Sequence, residues 1–409
     1  MDGLLTSLGG AVGALLLGTA AFEGLYRLRD TRTIELMVRR RGAWEELPAP
    51  AGERRFRVAV PFHNHNLAYE QTLVDVRPSV RLLKREAAAA WAVDASVSVH
   101  ALTDEGRADG YWAACLLGPG ESCEMDVRVT LRGEPEALSL LHAVVVQVAY
   151  DTYGRVDLQT FQTDWVLPLA TPKPLPPALQ GKGVAIQCVP TPLLTDADDI
   201  VEVIDTATRS FRQPGDVVAV AESVVAITQG RYFRPTAVRP GFWAKRLCFF
   251  VPSKGSLSSR HGFQLAMNDV GAARMVAAFF LGALGKLLGR KGVMYEVAGQ
   301  PAELIDDITG TMPPFDKYIV AGPDQPDQVV ARIKARTGME AAIVDANDLK
   351  RAMVLAVTPG VQASQVSTWL LDNPFGNAAE QTPIVVLRPH AAGAHDALEN
   401  AHVPSRSLS

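Results

Sequence analysis

Between Phe56 and Tyr150, apolar residues recur at every second position in one short run after another. The runs are Phe56–Phe62, Thr72–Val76, Val80–Leu83, Ala95–Ala101, Glu124–Leu131 and Val144–Tyr150. A period of two sends alternate side chains to opposite faces of a strand, so each run reads as a strand with one face in a core. Turn-forming stretches separate them, among them Gly118-Pro-Gly-Glu-Ser122 and Asp151-Thr-Tyr-Gly154. Roughly six or seven short strands in this space predict an antiparallel sandwich of immunoglobulin-like shape over residues 55–171. The Cys…Trp…Cys spacing of antibody domains is missing. A sandwich hosts many functions, so a spacer or protein-binding module is its default reading. His63-Asn-His65 spells the letters of a nuclease motif but reads as a polar turn, having no metal-ligating partners at motif spacing.

The alternation stops at a linker, residues 172–183, within Thr171-Pro-Lys-Pro-Leu-Pro-Pro-Ala-Leu-Gln-Gly-Lys-Gly183. Its prolines exclude a helix and keep the segment extended. A chain of 409 residues exceeds one ordinary core, so a second domain is expected beyond it. A net charge of −4 supplies no bulk attraction for nucleic acid. Four cysteines without a Cys-x-x-Cys pair argue against a structural zinc site and a disulfide framework, and fit a reducing compartment.

At the other end, Gly3 to Phe22 carries no charge. About 20 apolar residues at ~1.5 Å each span a bilayer core. The run opens Met-Asp-Gly, unlike the basic start of a cleaved signal, and the arginines Arg27, Arg29, Arg32, Arg39, Arg40 and Arg41 follow it. That asymmetry predicts a transmembrane anchor over 1–30 and a basic juxtamembrane segment over 31–54, in a single-pass protein of the cytoplasmic membrane with its soluble domains in the cytoplasm. A buried helix and a cleaved signal are the competing readings.

In residues 184–390 short strands and helices alternate, and four blocks stand out. Asp198-Asp199 opens a helix after the strand Val184–Val189. Gly215-Asp216 turns into the strand Val217–Val220, and the segment that follows ends Gln229-Gly230-Arg231. Tyr318–Ala321 leads to a capped helix from Pro323. Ala341–Val344 is a strand ending at Asp345-Ala-Asn-Asp348. A tail, 391–409, reads as disordered.

In order and spacing these blocks resemble the coenzyme F420-0:L-glutamate ligase family over the C-terminal half. The resemblance implies an α+β ligase-like domain that joins glutamate to a carboxylate acceptor, such as the deazaflavin F420-0. It implies GTP (or ATP) as co-substrate, Mg2+ or Mn2+ as metal, and a homodimer. Nucleotide or phosphate binding is carried to Gly215, Asp216, Gly230 and Arg231, and metal binding to Asp269, Asp345 and Asp348. Two family lysines are replaced by Ser223 and Ile227, and the family's glutamate before Gly-Arg by Gln229. Arg231, Arg234, Lys245 and Arg246 are the cations from which a phosphate site would be rebuilt. The alternative is a non-catalytic, membrane-associated binding or scaffold protein that keeps the ligase fold. Within the apolar stretch Gly271–Gly289, the uncharged run Met275–Gly285 is too short to span, and the stretch reads as a buried helix, with an interfacial helix as its rival.

Overall fold

The computed structural model describes residues 13–25, 36–38, 43–64, 69–84, 92–101, 114–154, 158–181, 183–252, 256–307, 312–348, 350–376 and 380–390. The start of the uncharged run, residues 31–35 and 39–42 of the basic segment, and the tail 391–409 lie outside them. The described end of the uncharged run is a helix, α1 (Gly13–Leu25), whose leucines face solvent. Among the described residues no single helix is long and apolar enough to cross a membrane.

The first domain is a sandwich of two antiparallel sheets. One holds β1 (Glu53–Asn64), β4 (Ser122–Gly133) and β3 (Val93–Ala101), in the order β1-β4-β3, with the short strands Leu36–Val38 and Glu45–Leu47 also on β1. The other is the strand Cys115–Leu117, then β2 (Gln71–Lys84), β5 (Leu141–Tyr153) and β6 (Gln159–Pro168). The alternation is what builds the core: Phe56, Val58, Val60 and Phe62 of β1 are buried, and so are Val144, Val146, Val148 and Tyr150 of β5. Phe62 meets Tyr150 edge-on across the sheets at 5.1 Å. Each fully buried side chain of this size contributes roughly 1.5–3 kcal/mol.

Two strand assignments change. Thr72–Val76 and Val80–Leu83 are one strand, β2, which runs through Pro78. Among the described residues it pairs beyond Leu73 on one side only, an edge setting in which a proline is tolerated. Strand β6 was missed because its first half, Gln159-Thr-Phe-Gln-Thr, is largely polar; its inner half carries the fully buried Trp165.

After the extended linker, whose residues Leu179–Gly181 add an edge strand, comes an α+β domain. Its main sheet continues β7 (Val184–Val189), β11 (Ile384–Pro389), β8 (Val217–Ala221), β9 (Glu340–Asn347) and β10 (Arg351–Val357). Only β8 and β9 run parallel; the other pairs are antiparallel. On one face pack α2 (Ile200–Thr208) and α7 (Pro326–Thr337), over Val218, Val220, Ala341 and Ile343. On the other lies α8 (Ala363–Trp369), whose Val366 joins Val217, Ala219 and Val344. A separate core gathers α4 (Arg260–Val270), α5 (Ala272–Leu287) and α6 (Val293–Ala298).

The two domains touch directly. Ala143 and Val166 of the sandwich join Leu193, Ile227, Phe315 and Tyr318 of the second domain in one apolar cluster. At its edge the buried carboxylate of Asp164, on β6, accepts from the Arg234 guanidinium and the Tyr318 hydroxyl.

Candidate functional site

The parallel pair β8–β9 sorts the candidate residues by end. Val217 lies opposite Glu340 and Ala221 opposite Val344. Gly215-Asp216 therefore sits at the beginning of these strands, and Asp345 to Asp348 at their far end, about 15 Å away by strand rise. Gly215, at φ 89°, makes the tight turn. Asp216 is buried and fully engaged. It accepts from Arg388 through Nε and Nη2, both at 2.8 Å, and from the Gln213 amide at 2.8 Å. This pair ties the end of β11 to the turn before β8, so Asp216 is placed as a structural clamp, away from the other candidates.

Asp199 caps α2 through the Val201 amide at 2.9 Å, as acidic residues do at helix starts. The next helix, α3 (Glu222–Thr228), carries Ser223 and Ile227 one turn apart and ends in Gln229-Gly230-Arg231. Gly230 adopts φ 73°, a left-handed turn conformation that glycine takes without strain. Gln229 then makes a two-way clasp with the Asp324 backbone. Its Nε2 donates to the carbonyl at 2.9 Å and its Oε1 accepts from the amide at 2.7 Å. A glutamate has no donor for the first of these bonds. Arg231 donates to the Gly322 carbonyl at 2.5 Å and to Asp269 Oδ2 at 2.6 Å. The phosphate-binding candidate and a metal-binding candidate thus neutralise each other.

Asp348 accepts from Asn373 Nδ2 at 2.9 Å. Asp345 differs. Strand β9 does not end before it but runs on to Asn347, pairing Asp345 with Met353 of β10. Asp345 is half-buried, and desolvation pushes its pKa up against the opposing charge of Arg351. The three candidate metal ligands do not converge: among the described residues no three or more His, Cys, Asp or Glu form a group that could hold a metal ion. Mg2+ asks only one or two carboxylates of a protein beside substrate oxygens, so a three-ligand group is not what such a site requires.

The cations expected to rebuild a phosphate site are dispersed too. Arg234 is held by Asp164; burial is the largest single influence and works against its charge, but the hydrogen bond and charge of Asp164, together with Tyr318, outweigh it and leave its pKa raised. Arg246 donates to the Phe242 carbonyl at 2.9 Å, on the helical turn that also carries Lys245.

A cavity of about 120 Å3 opens beside the C-terminal end of β8. Thr191, Ser223, Ile227, Phe375 and Thr382 line it, and its lining includes no charged side chain. The two positions where lysines were expected therefore face one uncharged space. Ile227 also packs in the inter-domain cluster, where a lysine would bury its charge against Val166 and Ala143. In the sequence, Ser223 and Ile227 stand out through the family resemblance, as the places of two family lysines. Nothing in the sequence marks Thr191 and Phe375, which arrive from distant loops.

Two family models match the chain. Residues 38–171 match the F420-0:gamma-glutamyl ligase N-terminal Ig-like domain, and residues 188–251 match F420-0:Gamma-glutamyl ligase itself. The likeness is thus not confined to the C-terminal half: the sandwich matches that family's N-terminal Ig-like domain. The second match ends before Asp269, Asp345 and Asp348. No curated protein matches the chain. Among solved structures it is similar to the GAE domain of GGA2p from Saccharomyces cerevisiae, at 9% identity and TM-score 0.18, over 31% of this chain and 98% of that one. It is also similar to a FixG-related protein from Vibrio parahaemolyticus, at 13% identity and TM-score 0.16, over 32% and 100%. Likeness at that level has no bearing on what the chain does.

Proposed function

Because this chain belongs to the F420-0:gamma-glutamyl ligase family through both its Ig-like and its ligase domain, we propose that it is a γ-glutamyl ligase acting on F420-0 or a related carboxylate acceptor. The succession of the two domain matches is the observation that supports this reaction class. Amide formation requires the glutamate amine to lose a proton as it attacks the activated acceptor. Arg231 engages Asp269 and Asn373 engages Asp348, which leaves Asp345 as the candidate to take that proton. Its raised pKa moves it toward the range in which a base works near neutrality. Acceptor activation by GTP or ATP with Mg2+ or Mn2+ is implied by the family, but the cavity is small and uncharged beside the roughly 300–1,000 Å3 of ordinary ligand pockets. We also propose that α1 belongs to a single-pass anchor that holds both domains at the cytoplasmic face of the membrane.

The uncharged cavity favours a second reading, a binding or scaffold protein that keeps the ligase fold without the reaction. Calorimetry on the full chain separates the two. Binding of GTP or ATP in the presence of Mg2+ or Mn2+ supports the ligase reading. A folded chain that binds neither nucleotide under any metal condition supports the second.

A further inference from the structure

The helix read as buried is the most exposed apolar element of its domain. Met275, Ala278 and Gly285 of α5 face the core, and α6 presses so closely that a Cβ on Gly282 or Gly285 would lie 2.6 Å from Met294 or Val293. The opposite face carries Phe280, Leu281, Leu284, Leu287 and the following Leu288, all exposed. At about 100° per residue these five fall within an arc of about 120°. Leu287 and Leu288 are 84% and 78% exposed.

A second apolar edge adjoins this face. On the turn between Gly241 and Val251, Phe242, Trp243, Phe249 and Phe250 are all exposed, the last two at 70% and 74%. The Phe250 ring lies 6.1 Å from Phe279, which lies 5.5 Å from Phe280, so the two edges are continuous. Cations sit in the patch itself. Arg246 lies over the Phe242 ring at 3.5 Å and Arg260 over Phe249 at 5.4 Å. Lys286, Arg290 and Lys291 close the end of α5, with Arg290 also paired to Glu296. Residues 231–295 hold eleven Lys and Arg against one acidic residue, Asp269, in a chain whose net charge is −4.

We propose that this face docks on the surface of an anionic lipid bilayer, with α5 lying in the interface. Exposed aromatic and leucine side chains enter the headgroup boundary, and the cations meet lipid phosphates and carboxylates. A second copy fits less well, because a two-fold contact would set one cationic rim against another. Insertion of α4 and α5 together as a broken span is opposed by Phe263, Leu265 and Ala266, which α4 commits to the protein core. The docking rests neither on the ligase reading nor on an anchor at α1.

The test is hydrogen exchange on the full chain bound to phosphatidylcholine vesicles, with and without about 30% phosphatidylserine. Amides of residues 242–250 and 280–288 exchange about tenfold more slowly on the anionic vesicles than on the neutral ones. Phe249→Glu with Phe250→Glu abolishes that slowing, while thermal unfolding stays unchanged. Arg246→Gln and Lys286→Gln each reduce the anionic preference roughly fivefold. Unslowed exchange on anionic vesicles overturns the proposal. So does slowing that appears without lipid and grows with protein concentration, which assigns the face to a second copy.

Discussion

Asp345 is a carboxylate that the fold does not stabilise. Its folded pKa stands above the reference value of 3.8 because burial disfavours the charge. The folded state therefore holds the proton more tightly than the unfolded chain. Stability from that preference is present below the unfolded value and is lost as pH rises through the folded one. Asp345→Asn removes the penalty, so its melting temperature exceeds that of the parent at pH 7, and the gap closes toward pH 4. A lower melting temperature at pH 7 would show that Asp345 is a structural residue instead. Gln229 is the reverse case, a side chain fitted to its place. Gln229→Glu loses the bond to the Asp324 carbonyl and sets like partial charges together, at a cost of about 0.5–1.5 kcal/mol in denaturant unfolding.

Among the elements, α2 is secured by one carboxylate. Asp205 accepts from Arg209 at 2.5 Å and Arg212 at 2.6 Å, and Arg336 of α7 reaches it at 3.1 Å. Its bonds to Arg212 and Arg209 lower its pKa to about 2. The stability they give is complete above the carboxylate range and disappears as pH falls toward 2. Asp205→Asn thus lowers the melting temperature at pH 7 but not at pH 2, with α2 and α7 losing hydrogen-exchange protection together. These elements were legible in sequence to differing degrees. The sandwich strands were, because period-two alternation is a local property of β1, β4 and β5. The sequence starts α7 at Pro323, whereas the helix begins at Pro326, since Gln325, at φ 45°, keeps the preceding residues out of it. Helix α5 was misread because hydrophobicity measures what a residue avoids, not which face the neighbouring helices leave open. The candidate site was the least legible. Arg231–Asp269 and Asp216–Arg388 join positions far apart in sequence, and only the fold reveals that they satisfy each other.

For the whole molecule, the linker predicts two bodies on a stiff tether, and the structure adds a direct lock. Asp164, Arg234 and Tyr318 share one buried cluster, in which burial and the Asp164 charge push the Tyr318 hydroxyl well above its ordinary range. Removing one partner leaves the other charge buried and unmatched. Arg234→Ala therefore costs about 3–5 kcal/mol and splits a single calorimetric unfolding transition into two. One unchanged transition would mean that the apolar cluster alone couples the domains. The lock also gives a physical reason for the missing lysine: Ile227 lines the cavity and seals the inter-domain contact at once.

Product mass reports the proposed reaction most directly. The full chain is incubated with F420-0, L-glutamate, GTP or ATP, and Mg2+ or Mn2+. The parent forms an acceptor heavier by one glutamyl unit, and a folded Asp345→Asn does not. A folded, nucleotide-exposed chain that leaves F420-0 and related carboxylates unchanged under every metal condition would contradict the proposed reaction.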